Sequence, residues 1–246
     1  MTASANTEWG FHSGDGDIKI AQGLYEISST QKGPVGTRVR VGDRVFRYAY
    51  AGGTALVAGN LLECATLVEE EGIVPSAAVA AGDTEFTIVS AAAQTDLAEG
   101  YMFTHEEAGE GYSYRIKKAT ANADTSTSTD IVLYDDIHVA LTTSSEVALM
   151  NNFYYDLDVH ATITKFAVGV APTAVTANYW FWCQTWGPAS VYQRGTDAAG
   201  SIMVPNATTE TGSVTTQSAY TSNIVGFNLF VGTAKQNQPV YLRITP

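Results

Sequence analysis

Charge is scarce in this chain: Asp, Glu, Lys and Arg make up 15% of its 246 residues, against roughly 25% in an average soluble domain. Ala, Gly, Ser and Thr take their place. Such residues suit packed strands, tight turns and surfaces that neighbours will cover. Cysteine is nearly absent. Cys64 and Cys183 are far apart and each lies in a strand-like run, which excludes a disulfide framework and predicts two free, buried thiols in a chain made and assembled in the cytoplasm. No run of about 18 apolar residues occurs, so no membrane-spanning helix is expected. The opening MTASANTEWGFHSGDGD lacks the basic and apolar regions of an export signal.

Catalytic patterns are equally thin. No G-x-S-x-G elbow is present, and no glycine-rich phosphate loop precedes a helix. His12, His105, His138 and His160 are isolated from one another, without the tight spacing of a zinc site. Asp135-Asp136-Ile137-His138 and Asp156-Leu157-Asp158-Val159-His160 place acids beside a histidine. In the second, residues 156, 158 and 160 line one strand face about 7 Å apart, a poor cage for a tetrahedral ion, so an exposed polar face is expected. Asp15-Gly16-Asp17 is a turn that lacks the later ligands of a calcium loop. The expectation is a protein that is not an enzyme and holds no cofactor or metal.

Basic residues are missing from one long stretch. Between Arg47 and Arg115 lie eleven acids and no Lys or Arg, while the rest of the chain has fourteen acids against thirteen bases. That segment carries almost all of the net charge of −12. It predicts a solvated acidic face or one that meets a basic partner. Phosphates would be repelled there, and no basic-aromatic patch elsewhere suggests nucleic acid.

What is present is β-periodicity. RVRVGDRVFRYAY (residues 38–50) alternates, with a phase shift at Gly42-Asp43 that marks a turn or bulge. Arg38, Arg40, Arg44 and Arg47 fill its polar phase, as a solvated strand face or as a grip on an acidic partner. Residues 77–149 read as a compact module of about five strands. Gly109 and Gly111 supply the positive φ of a hairpin, and IVLYDDIHVAL (131–141) reads as two strands about a turn at Asp135-Asp136. Residues 206–222 are Thr/Ser-rich and loop-like, and the chain closes with IVGFNLFVGTA and PVYLRIT as strands. The one short helix candidate is 91–99.

Three of the four tryptophans fall in YWFWCQTWGPASV (179–191). Trp180, Trp182 and Trp186 share strand parity, so their face is either core or an exposed aromatic patch. Gly187-Pro188 is expected to end the run in a turn. These readings give an all-β protein: a β-barrel or sandwich base domain from 36–76 and 150–246, an inserted acidic β module at 77–149, and an extended N-terminal arm at 1–35.

The Trp block, with KFAVGVAP before it, resembles the closing block of structural proteins from tailed-phage particles, in which a strand ending W-x-Q-x-x-G-P-A precedes a short variable strand. The stretches 98–100, 107–116 and 131–141 also resemble segments of phage virion proteins. The resemblance covers about half the chain and carries no catalytic motif. It implies a virion component that decorates or cements the outer capsid surface. Its partners would be the major capsid protein and further copies of itself, as a trimer, with the arm lying across neighbouring shell subunits. Trp9, Arg38, Arg40, Arg44, Arg47, Trp186 and Tyr192 are then the candidate contact residues. The alternative is a receptor- or glycan-binding head-fibre or tail protein, which predicts an outward Trp186 or Tyr192.

Overall fold

A computed structural model describes residues 20–64, 69–90, 97–122, 127–162, 165–206, 210–217 and 223–246. Among them the protein is all-β, and every named element is a strand. Trp9 and Asp15-Gly16-Asp17 lie outside the described residues, as does most of the helix candidate at 91–99. The chain divides into two compact units, Met1–Ala65 with Tyr154–Pro246, and Thr66–Phe153.

In chain order the first unit opens with β1 (Arg38–Val41), β2 (Arg44–Tyr50) and β3 (Leu61–Cys64). The second holds β4 (Glu69–Ile73), β5 (Glu85–Ile88), β6 (Tyr101–Glu106), β7 (Ser113–Ala121), β8 (Thr129–Leu133) and β9 (Glu146–Met150). The first unit resumes with β10 (Leu157–Val159), β11 (Ala167–Val170), β12 (Trp180–Gln193), β13 (Ile202–Asn206), β14 (Ser213–Thr216), β15 (Gly226–Asn228) and β16 (Gln236–Arg243).

The first unit is organised on β12. Strands β12, β14, β13, β15 and β16 pair in that order, and β16 pairs back to β12, which closes a five-stranded barrel. Its inward residues Val191, Met203, Val214, Val240 and Leu242 are all buried. The N-terminal half of β12 instead pairs with β2, from Trp180↔Tyr50 to Trp186↔Val45. The strand therefore changes partner at Trp186, which faces Val45 on β2 and Arg243 on β16.

Residues 180–185 are all buried, so both faces of the strand are covered and alternation vanishes, as in any strand enclosed on both sides. Trp180 and Trp182 pack with Leu24, Val35, Val39, Phe46 and Tyr48. On the other face the Cys183 thiol lies so near Gly169 that a Cβ there would come within 2.3 Å of the sulfur. Both cysteines are free and buried.

Gly187-Pro188 does not end the run, contrary to expectation; β12 continues through it to Gln193. Gly187 has φ +83°, and a Cβ would lie 2.5 Å from the Asp43 carbonyl. Pro188 sits opposite Tyr241, yet its carbonyl accepts from Gln184 Nε2 at 2.9 Å. Its backbone polar groups thus point away from β16, where a missing N–H costs no ladder bond.

Residues 20–35 are irregular but seated on this core. Leu24 and Val35 are buried, Ser28 exchanges backbone bonds with Trp180, and Gln22 Nε2 donates to the Trp180 carbonyl at 3.0 Å. The sparse apolar positions of this stretch are core contacts despite their lack of period. Two other expectations also fail. Residues 206–222 are not all loop, because β14 forms at 213–216 and pairs with β13. The segment 224–234 yields only the short β15.

The second unit is one six-stranded sheet in the order β4-β9-β6-β7-β8-β5. It curls about Ile88, Met102, Ile116, Ile131, Val147 and Leu149. Gly109 and Gly111, both at φ +87°, make the β6–β7 connection. The second strand expected in 131–141 does not form. Ile137 and Leu141 are buried individually, and Leu141 makes an isolated bridge with Val79. They plug the sheet from a loop, where no period is needed.

Candidate interaction surface

The β1–β2 hairpin turns at Gly42, whose φ of +63° fits a two-residue turn opened by glycine. Its register pairs Arg38 with Arg47 and Arg40 with Val45, while Val41 faces Arg44. Arg38, Arg40 and Arg47 therefore share one face and Arg44 lies on the other. The expected four-arginine face is divided by the turn. Arg47 donates to the carbonyls of Gly36 and Pro246, both at 3.2 Å, and lies 5.9 Å over the Tyr154 ring. Arg40 Nε donates to the Gly42 carbonyl at 3.0 Å. Arg44 donates to the Tyr25 hydroxyl at 3.1 Å and stacks 5.4 Å from the Phe46 ring centre.

Arg44 and Tyr25 stand at a groove of about 480 Å³ lined also by Gly59, Pro188, Ser190 and Asn237. Pro188 and the two residues after it are part of its lining. A second, more polar recess of about 450 Å³ lies between Arg194, Glu210, Thr215 and Lys235. Tyr192 donates to Glu210 there at 3.2 Å, and Glu210 pairs with Lys235 at 2.6 Å. Burial and the Glu210 charge raise the Tyr192 phenol above its ordinary pKa. The Lys235 hydrogen bond and charge hold Glu210 below the usual carboxylate value.

Trp186 is half-buried. Its ring meets Tyr241 edge-on at 6.2 Å and lies 5.7 Å from the Arg243 guanidinium. The structure thus gives Trp186 and Tyr192 internal partners; it sets Trp186 opposite Val45, on the hairpin face that carries Arg38, Arg40 and Arg47, while Tyr192 lies apart in the Glu210–Lys235 recess.

The surface that periodicity missed is apolar. Leu229, Phe230 and Val231 follow β15 in succession and are 42%, 57% and 60% exposed. Phe166 and Ile224 are exposed as well. In the sequence the run IVGFNLFVG passes for a strand throughout. The signal was the loss of alternation at three consecutive apolar residues.

Two polar clusters also emerge. His160 is fully buried, against the exposed face expected for it: its amide continues the ladder to the Leu61 carbonyl, its carbonyl accepts from Gly212, and its ring lies against the Lys165 carbonyl. Its ring lies beside Glu63, 3.8 Å away, and Glu63 pairs with Lys165 at 3.2 Å. Glu63 Oε2 accepts from the amides of Ala161 and Thr162 at 3.1 and 3.3 Å. Desolvation lowers the His160 pKa and so favours its neutral form. The group anchors a loop. In the second unit, His105, Glu106 and Glu146 bring one ligand atom each within 4.8 Å of one another.

No protein-family model, no curated protein and no solved structure matches this chain.

Proposed function

We propose that the chain is a structural component of a tailed-phage particle, one that binds the outer surface of the capsid shell and stabilises it without catalysis or cofactor. Its partners are the major capsid protein and further copies of itself. The observation that supports this reading best is the exposed Leu229-Phe230-Val231 triple on the barrel unit. Three successive exposed apolar residues mark a surface that a partner covers. Fully burying such side chains contributes roughly 1.5–3 kcal/mol each. Since each is already about half covered, the gain is about 1 kcal/mol apiece, or on the order of 100-fold in affinity per copy. Self-association into a trimer multiplies that gain by linking contacts on the lattice. The low charge content agrees with a surface meant to be covered. Of the residues that carry the phage resemblance, 180–191 lie in the strand on which the unit is built.

Quantitative mass spectrometry of gradient-purified particles tests the reading. Hundreds of copies per particle, relative to the major shell protein, are expected. Replacing Leu229, Phe230 and Val231 with Ser should leave the fold intact and strip the protein from the shell. A handful of copies would move the assignment to a receptor-binding fibre or tail part, and absence from the particle would overturn it.

A further inference from the structure

We propose that His105, Glu106 and Glu146 form a binding site for a first-row divalent cation of the zinc type, at the end of the β6–β9 pair. The inference is independent of the virion reading. Consecutive residues of a regular strand point to opposite faces, so His105 and Glu106 would not ordinarily serve one ion. Here the β6–β9 register runs Thr104↔Val147 and then Glu106↔Glu146, which leaves His105 as the extra residue of a bulge. A bulge re-aims side chains in this way, and it brings one nitrogen and two carboxylate oxygens together within 4.8 Å.

Two further observations point to a cation. Glu106 and Glu146 are directly opposed across the strand pair, an arrangement of like charges that is destabilising when bare. A divalent ion between them converts the repulsion into attraction. On the neighbouring strand β4 the chain irregularity between Glu70 and Ile73 places Gly72 at this spot with φ +71°, where a Cβ would stand 3.6 Å from Glu146 Oε2. The Gly72 amide meets His105 Nε2 at a long 3.4 Å, a weak bond that a cation would replace by taking the same lone pair.

The donor set selects the ion class. One imidazole with two carboxylates suits zinc and its first-row neighbours, whereas calcium takes six to eight oxygens. Three protein donors leave a position for water, and with His105 and Glu146 half-buried and Glu106 exposed, that position opens to solvent.

The test is isothermal titration of the chelator-stripped full chain with zinc chloride, alongside thermal melts with and without the ion. One zinc per chain with a raised Tm is expected. His105→Ala, and separately the pair Glu106→Gln with Glu146→Gln, should abolish saturable binding and the Tm rise. Circular dichroism should report the wild-type fold for both variants, since none of the three side chains is fully buried. In metal-free protein the double Gln variant should be at least as stable as the parent, because a like-charge pair has been removed. Absence of saturable binding overturns the proposal. So does undiminished binding by both variants, which would put the zinc elsewhere, or a response to calcium in place of zinc.

Discussion

Replacing Tyr48 with Phe tests whether residues 20–35 are seated on the β2–β12 sheet. The Tyr48 ring is fully buried, stacked 5.7 Å from Trp180 and edge-on to Trp182 at 5.2 Å. Phe keeps that packing. What it loses is the hydroxyl, which donates to Gln22 Oε1 at 2.9 Å and accepts from the Lys32 amide at 3.0 Å. Gln22 is itself buried, so its oxygen is left without a donor at a cost of about 1–3 kcal/mol. Lys32 is exposed, and water can replace the phenol at its amide. The expected loss is therefore about 1–3 kcal/mol, below the roughly 3–5 kcal/mol of removing a buried aromatic ring outright. Urea unfolding followed by tryptophan fluorescence reads it directly. Wild-type stability in Tyr48→Phe would refute the seating of residues 20–35. The same phenol adds a pH signature. Burial pushes its pKa up to about 12, against a smaller lowering by the Lys32 amide. The unfolded value is about 10, so the fold favours the neutral phenol. Its contribution is complete below pH 10 and declines as pH rises towards 12. Subtracting the Tyr48→Phe profile from that of the parent should isolate this decline, and parallel profiles would contradict it.

Gly187→Ala forces a left-handed residue to carry a Cβ against the Asp43 carbonyl. It should cost about 2–4 kcal/mol in urea unfolding, and a neutral result would mean that β12 does not pass that close to the β1–β2 turn. Glu63→Ala takes the carboxylate from two amides and from Lys165; Ala161 and Thr162 are exposed, so water replaces part of it and the cost should be about 1–3 kcal/mol. Glu63→Gln retains an acceptor and should recover part of that loss in thermal melts; equal losses would argue against the amide bonds.

Elements with local punctuation were legible in the sequence. Gly42-Asp43 and Gly109–Gly111 set turns through backbone conformations that side chains rarely adopt, and such information is local. The Trp block was legible as strand but not as to its faces, because the residues that pack with its tryptophans, Leu24, Val35, Val39, Phe46 and Tyr48, lie over a hundred positions away. Pro188 reads as a breaker in isolation. It is tolerated because β12 has just exchanged one neighbour for another and its polar groups at that point face a groove. Ile137, Leu141, Leu24 and Val35 show the reverse case, where single apolar residues plug a core from irregular chain without any period. For His160 the i, i+2 pattern indicates an exposed face, but Glu63, Lys165 and Gly212 from other segments cover it. The arginines were read as one set, although a two-residue turn places Arg44 out of phase with the others. The His105 cluster was invisible because a bulge shifts the register by one residue, and no composition signal marks that.

The strand exchange at Trp186 also has a consequence during synthesis. β2 leaves the ribosome with β1 as its hairpin partner, but its other edge waits for β12, which begins 130 residues later. At roughly 5–20 residues per second, that interval is about 6–26 s. Throughout it Phe46 and Tyr48 lack the tryptophans they pack with in the finished protein, and Ala49 lacks its strand partner Phe181. The whole second unit emerges in the same interval and can complete its own sheet. Nascent chains arrested before residue 180 should accordingly contain a finished second unit and an open, chaperone-seeking β1–β2 edge, so yield in a cell depends on how well that edge is shielded before β12 arrives.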